Sequence, residues 1–472
     1  MRKTKIVCTI GPACNSEEML RKLCLAGMNV ARLNFSHGSH EDHLQNIERI
    51  KKVRAELEMP IAILLDTKGP EFRTGMIEGG SIELKDGDTF TFVDDDIIGN
   101  SERVSVSYKN LAKELTVGGM ILVNNGLLKF QITDIKDGDI ICKVIEGGKL
   151  SNRKSMSFPG VVLKQTFLSE QDKSDIAFGM ENDIDFIACS FVSCADDLRS
   201  IKEYIASIGQ DTKGVELIAK IENQSGIDNI EEICAECSGI MVGRGDLGVE
   251  IPFEQVPAAQ KKLITKCRLL GKRVITATEM LESMINNPRP TRAEISDVAN
   301  AVFDGTSAVM LSGETAAGKY PDLTVKTMAK IAEEAEKDID YSKEFRTTDF
   351  ITNSLIDDIS HAAVGMAIDI KASAIAACTL SGGTARMISR FRPPVDILGV
   401  TTNDRTWRKL ALSWGVTPKM IEVMPSTEVL FYTAKNITRD TFTLKSGERI
   451  VLTGGITNGS SGNTNIIKVE TI

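Results

Sequence analysis

An α/β fold is predicted: a parallel (β/α)8 TIM barrel, interrupted by a small β-barrel domain and followed by a second α/β domain. Three observations predict it. Eight short apolar runs alternate with helix-like segments as far as residue 312. A stretch between the third and fourth run loses the helical period and fills with Gly-Asp and Gly-Gly turns. Strand–helix alternation then restarts after about residue 345. At 472 residues the chain exceeds one ordinary domain, and 42% apolar content is ample for several cores. The expected units are residues 1–70 with 169–344 for the barrel, 71–168 for the insertion and 345–472 for the C-terminal domain.

The eight runs are 5–10, 28–35, 61–66, 184–191, 215–222, 239–243, 273–278 and 307–312. Most are almost continuously apolar, as strands covered on both faces must be. Asn15 with Glu18, and Thr291 with Glu294 after Pro290, read as capping boxes that start helices between them. In the insertion, 89–93, 102–108 and 140–145 are β-prone, separated by turns such as Asp86-Gly87-Asp88 and Asp137-Gly138-Asp139. Its place in a barrel loop makes it a lid. Beyond 345, a helix over 352–370 leads to a strand at 374–379 and a loop, Ser381 to Thr384, opening a helix that contains Arg386. Such a loop is a ready anion site. Gly454-Gly455 and 459–465 read as a second polar loop before the last strand.

Composition excludes several functions. A net charge of −9 offers no basic footprint for nucleic acid. No apolar stretch approaches the roughly 20 residues of a membrane span, and the start, 1–12, is too strand-like for a secretory signal. Ten cysteines without a framework fit free thiols in a reducing cytoplasm. Cys234 and Cys237 form the one CxxC and read as two cysteines on a helix before a strand. Three of the four histidines fall within 37–43, so a histidine-based metal site is not expected, while His37 remains a loop candidate. Asp94-Asp95-Asp96 reads as a solvated turn.

The chemistry concentrates around one lysine. Lys220 and Glu222 stand two residues apart and so project to one face of a strand. The next run leads into Gly243-Arg244-Gly245-Asp246. If the two runs are neighbouring parallel strands, Glu222 and Asp246 meet beside the ammonium group. Two hard carboxylates suit Mg²⁺, and a lysine next to it can neutralise a phosphoryl group in transfer. Thr9, Arg32, Asn34, Ser36, Asp66, Thr67, Thr278 and Glu314 also lie at the C-terminal ends of runs, the catalytic face of such barrels. The GxGxxG match at 243–248 is a decoy for a dinucleotide site. Asp246 would face the phosphates, and Cys267 and Arg268, about 20 residues on, provide no acid.

Read together, KIVCTIGP (5–12), ARLNFSHG (31–38), DTKGPE (66–71) with Arg73, AKIEN (219–223), GIMVGRGDLGVE (239–250), TATEMLESM (276–284), NPRPTRAE (287–294) and MLSGE (310–314) resemble pyruvate kinase, in that family's order and along nearly the whole chain. The resemblance implies the same three-part architecture and phosphoryl transfer from phosphoenolpyruvate to ADP in glycolysis, giving pyruvate and ATP. Glu222 and Asp246 would hold Mg²⁺ or Mn²⁺, the backbone at Gly245 and the Thr278 hydroxyl would meet the substrate carboxylate, and Lys220 would stabilise the phosphoryl group. Arg32 and Arg73 would grip phosphates, with Asn34, His37, Arg73 and Lys154 toward the nucleotide. Thr278 would belong to a proton relay, being too weak an acid to act alone. Asn34, Ser36, Asp66 and Thr67 would bind K⁺, on which a glutamate at Glu71 makes the family dependent. Thr379, Ser381, Gly382, Gly383 and Thr384 would receive the phosphate of a sugar-phosphate or nucleotide effector, and the family is usually a cytoplasmic homotetramer. Some relatives carry a further C-terminal domain, which this sequence does not include.

The sequence departs from the family at Glu279, where glutamine is usual, and in the lid segment 154–160, which keeps Lys154 and Pro159-Gly160. An alternative is a metal-dependent carbon–carbon lyase of the phosphoenolpyruvate/pyruvate barrels. The lid, the Arg32/Arg73 pair and the K⁺ set argue against it, because a lyase needs no nucleotide site. A metabolite sensor without catalysis would have lost Lys220, Glu222 or Asp246; all three are intact.

Overall fold

The eight apolar runs become eight parallel strands in the computed structural model, which describes residues 1–161, 163, 166–455 and 462–472. They are β1 (Lys5–Thr9), β2 (Val30–Asn34), β3 (Ala62–Asp66), β4 (Phe186–Cys189), β5 (Glu216–Ile221), β6 (Gly239–Gly243), β7 (Arg273–Ala277) and β8 (Ala308–Leu311). They close into a barrel in the order β1-β8-β7-β6-β5-β4-β3-β2. Most strands end a residue or two before the runs do, so Glu222, Thr278 and Ser312 stand just past their strands at the rim. The Thr291/Glu294 capping box forms. The other expected box does not: Ser16, not Asn15, caps the first helix, its hydroxyl accepting from the Met19 N–H at 3.2 Å. Ser16 takes the extended backbone that a cap needs.

Between β3 and β4 the chain makes a seven-stranded sheet, in the order Phe72–Arg73, Ser155–Ser157, Met120–Val123, Leu128–Lys136, Asp139–Glu146, Thr89–Val93, Arg103–Ser105. A lone antiparallel bridge, Thr74 to Val106, joins its two edges and curls it toward a barrel. Phe90, Phe92 and Phe130 pack edge-to-face and tilted against one another in its core. The expected strand at 102–108 shortens to Arg103–Ser105, and a four-residue helix, Leu111–Glu114, follows it. Lys109 folds back onto the Asp94 carbonyl and the Asp96 carboxylate of the acidic turn.

The C-terminal part begins with the helix Leu355–Asp369, capped by Ser354. It carries β9 (Ala374–Cys378), β10 (Asp396–Thr401), β11 (Val416–Met420), β12 (Arg449–Gly455) and β13 (Thr464–Thr471). Their order is β11-β10-β9-β12-β13, with only the last pair antiparallel. Part of the expected second polar loop, 459–461, lies outside the described residues. Cys234 sits on the helix Ile230–Glu236 and Cys237 just follows it, before β6. All ten cysteines are free. Among the described residues no helix is long and apolar enough to cross a membrane.

The C-terminal part closes the barrel floor. Leu412 packs into the barrel's lower core with Val7, Val30, Phe186, Ile218 and Met310. Arg408, only 1% exposed, reaches Asp185 at 2.7 Å and Asp183 at 2.9 Å below β4. At the foot of β5, Glu216 meets Arg273 from β7 and Arg386 from the C-terminal part. Burial opposes its ionised form, but Arg273, Arg386 and Lys409 outweigh burial and hold the carboxyl at about 2, against an ordinary 4.5. Such a depressed carboxyl adds stability that is complete above the ordinary value and is lost as pH falls from there to about 2. The loss amounts to roughly 3 kcal/mol. Melting temperature against pH should therefore fall less steeply on the acid side in Glu216→Gln; parallel acid limbs would contradict this.

Candidate active site

The site depends on β5 and β6 being neighbours, and they are: Lys220 pairs with Met241 and Ile221 with Val242. Glu222, just past β5, therefore lies over Gly243. A side chain at Gly243 would strike the Glu222 carboxylate, its Cβ only 2.6 Å from Oε1, so only glycine leaves room there. Lys220 Nζ stands 3.0 Å from Glu222 Oε1, 3.2 Å from Asp66 Oδ1 and 2.7 Å from Ser190 Oγ. Asp66, at the end of β3, also accepts from Arg32 Nε at 2.6 Å, and Arg32 donates to Thr9 Oγ1 at 2.9 Å. Five strand ends thus supply one buried cluster. Asp246 lies in the first turn of the helix Arg244–Glu250 that follows β6 and is exposed.

Electrostatics set these groups apart. Burial alone would raise the Asp66 carboxyl, but Arg32 and Lys220 hold it below its usual value. Burial would likewise strip the proton from Lys220; Asp66 and Glu222 reverse this and hold it above the ordinary lysine range. Glu222 goes the other way. Burial, reinforced by Asp246 and opposed by Lys220, pushes its carboxyl up to about 7. Three carboxylates, Asp66, Glu222 and Asp246, thus share two cations, Arg32 and Lys220, and the cluster is short of positive charge. Among the described residues no group of three or more His, Cys, Asp or Glu forms a ready metal cage. Mg²⁺ needs no such cage, since one or two carboxylates plus water and substrate oxygens suffice, and the donor set fits it.

Thr278, beyond β7, and Glu279 both have positive φ, 70° and 54°. Arg244 fixes this strained turn, donating to the Thr278 carbonyl at 2.6 Å and the Glu279 carbonyl at 3.0 Å while paired with Asp297 at 2.7 Å. The Thr278 hydroxyl accepts from the Gly245 N–H at 2.8 Å. Two groups expected at the substrate carboxylate thus face each other.

Other expected residues are placed nearby but held otherwise. Asn34 lies opposite Asp66 across β2 and β3, and its side chain accepts from the Ser36 N–H at 3.2 Å. Thr67 bonds the Ala188 carbonyl through its own N–H, and its hydroxyl accepts from the Ser190 N–H. Ser36 and His37 are exposed on the same loop. Arg73 is held by Glu71 at 2.6 Å and the Arg153 carbonyl at 2.8 Å. Lys154 lies beside it, since Ser155 pairs with Arg73 and Lys154 with Thr74. Both belong to the root of the inserted sheet rather than to the Lys220 cluster. Thr379, Ser381, Gly382, Gly383 and Thr384 line a separate crevice or its turn: Gly382 has φ 85° and donates to Thr379 Oγ1 at 3.0 Å.

Sequence reasoning missed Ser190, which links Lys220, Asp66 and Thr67 by hydroxyl bonds, and Arg244. Ser190 carried the signal used for the others, a polar residue near the end of an apolar run.

A parallel barrel with a lysine held ionised among carboxylates at its catalytic mouth, under an inserted β-sheet, defines a barrel phosphotransferase. Comparison makes it particular. Residues 1–325 match the family description "Pyruvate kinase, barrel domain", and 357–470 match "Pyruvate kinase, alpha/beta domain". The chain is 47% identical over 475 aligned residues to pyruvate kinases of Staphylococcus aureus and Staphylococcus epidermidis, covering all of this chain and 81% of each relative. Its fold resembles a crystal structure of a pyruvate kinase from Cryptosporidium parvum, with TM-score 0.95 and 40% identity, covering 100% of this chain and 96% of that one. The chain belongs to the pyruvate kinase family.

Proposed function

We propose that the chain moves the phosphoryl group of phosphoenolpyruvate to ADP, giving pyruvate and ATP, as a glycolytic enzyme of the cytoplasm acting as a homotetramer. The observation that carries this reading is Lys220, buried and ionised between Asp66 and Glu222 with Asp246 exposed beside them. Glu222 and Asp246 would hold Mg²⁺ or Mn²⁺, which supplies charge to offset the phosphoryl and enolate oxygens. Asn34, Ser36, Asp66 and Thr67 would hold K⁺, a set of oxygen donors. Lys220 places its charge where the transferring phosphoryl group passes, so negative charge that builds there meets a fixed cation. Arg32, locked by Asp66 and Thr9, presents its remaining N–H groups to a phosphate. The Gly245 N–H and the Thr278 hydroxyl bind the substrate carboxylate, for which they exchange their mutual bond. Closure of the inserted sheet brings Arg73 and Lys154, with His37 and Asn34, to the nucleotide phosphates. An effector would sit at Thr379 to Thr384. The same reading divides the chain into 1–70 with 169–344, 71–168 and 345–472. Among the described residues no sheet crosses from one of these units to another, which supports that division.

The test is a coupled assay of ADP-dependent pyruvate formation. Activity should require a divalent cation, and replacing K⁺ with a bulky organic cation should lower it by about tenfold or more, a loss near 1.4 kcal/mol. No activity with Mg²⁺ and K⁺ present would refute the kinase reading; indifference to K⁺ would refute only the Glu71 inference.

A further inference from the structure

The C-terminal sheet has a topological switch point. From β9 the chain crosses to β10 on one flank, while β12 takes the other flank, so a crevice opens beyond the carboxyl ends of β9 and β12. Open α/β sheets bind ligands at such places. A cavity of about 330 Å³ lies here, within the range of small-molecule sites. Thr379, Ser381, Thr384 and Thr401 bring hydroxyls to it. Much of the rest of its wall is apolar, from Ile356, Leu380, Val400, Val423, Met424 and Leu430. Val423 is 83% exposed and Leu380 41%, so large apolar side chains of this wall stand open to water. None of the described lining residues is Asp, Glu, Lys, Arg or His.

We infer that this crevice takes a small molecule with an apolar, ring-sized body and no more than one anionic group, and that it rejects a sugar bisphosphate. Phosphates buried against uncharged walls lose water without gaining a cation or a charge-assisted hydrogen bond. One anion can rest on the N-terminus of the helix Gly383–Arg390. A second has no counterpart. The apolar walls reward a ring instead. The inference rests on reading the 379–384 loop as an effector site and narrows what that site accepts.

The experiment titrates the full-length chain, without substrates, with 8-anilinonaphthalene-1-sulfonate, an aromatic monosulfonate, followed by fluorescence. Saturable one-to-one binding is expected, weakened by about tenfold or more in Leu380→Asp. Millimolar fructose 1,6-bisphosphate should neither displace the dye nor raise the melting temperature. Leu380→Lys places a cation on the wall and should gain bisphosphate affinity that the parent lacks. Leu380 is half open to solvent, and circular dichroism checks that both variants fold. Absence of dye binding, binding indifferent to Leu380→Asp, displacement by the bisphosphate in the parent, or no gain in Leu380→Lys would each overturn the inference. Turnover is not part of the readout, so a chain inactive toward phosphoenolpyruvate would still answer the question.

Discussion

Lys220→Met should lower kcat by roughly 10³-fold or more while changing KM for phosphoenolpyruvate only a few-fold. Methionine keeps the length and apolar stem of lysine and removes the charge. Lys220 is 9% exposed, and its ammonium group answers two carboxylates at 3.0 and 3.2 Å; Arg32 stays on Asp66, but Glu222 loses its cation. In the proposed function the substrate carboxylate would be met elsewhere, by Gly245 and Thr278, which is why binding should survive. A loss confined to KM, or a mild loss of kcat, would remove Lys220 from the role assigned to it. Melting curves are the control, because the variant also leaves Asp66 and Glu222 with less positive charge.

The largest effect on stability is expected at Arg408. In Arg408→Ala, Asp185 stays fully buried and loses its nearest cation; removing one partner of a buried pair typically costs about 3–5 kcal/mol. The Asp185 carboxyl is already pushed up by burial, against Arg408, the Ile63 N–H and Arg54. Changing Asp185 to Leu in the same chain should recover part of the loss, since the fully buried carboxylate is then gone, and only part, since Arg54 and the Ile63 N–H lose it as a partner. Thermal unfolding of the single and double variants checks both statements. A single variant that melts with the parent would show that the ion pair contributes nothing, and a double variant no better than the single would show that the charge left behind is not the cost.

Much of the catalytic mouth was legible because its residues sit at or near the ends of apolar runs, and a run buried on both faces has no other reason to carry Asp66, Lys220 or Thr278 there. Pairing of neighbouring runs then followed from their order. The cap of the first helix was misplaced by one residue because Asn15 and Ser16 are both good caps, and only backbone conformation chooses between them. Arg244 was hidden inside a glycine-rich motif whose spacing drew attention to the glycines. The ties between barrel and C-terminal part were beyond reach altogether. Arg408 and Asp185 are 223 residues apart, and no periodicity or local preference links such positions.

Leu412 gives the order of synthesis a consequence. The barrel's lower core is finished by a side chain made about a hundred residues after β8. Domains generally fold from the N-terminus as they emerge, yet this one must hold a nearly complete barrel with an unsealed base until the C-terminal part arrives. A nascent chain stalled near residue 345 would therefore present that apolar base to chaperones, and release from them would coincide with the appearance of the segment around Leu412.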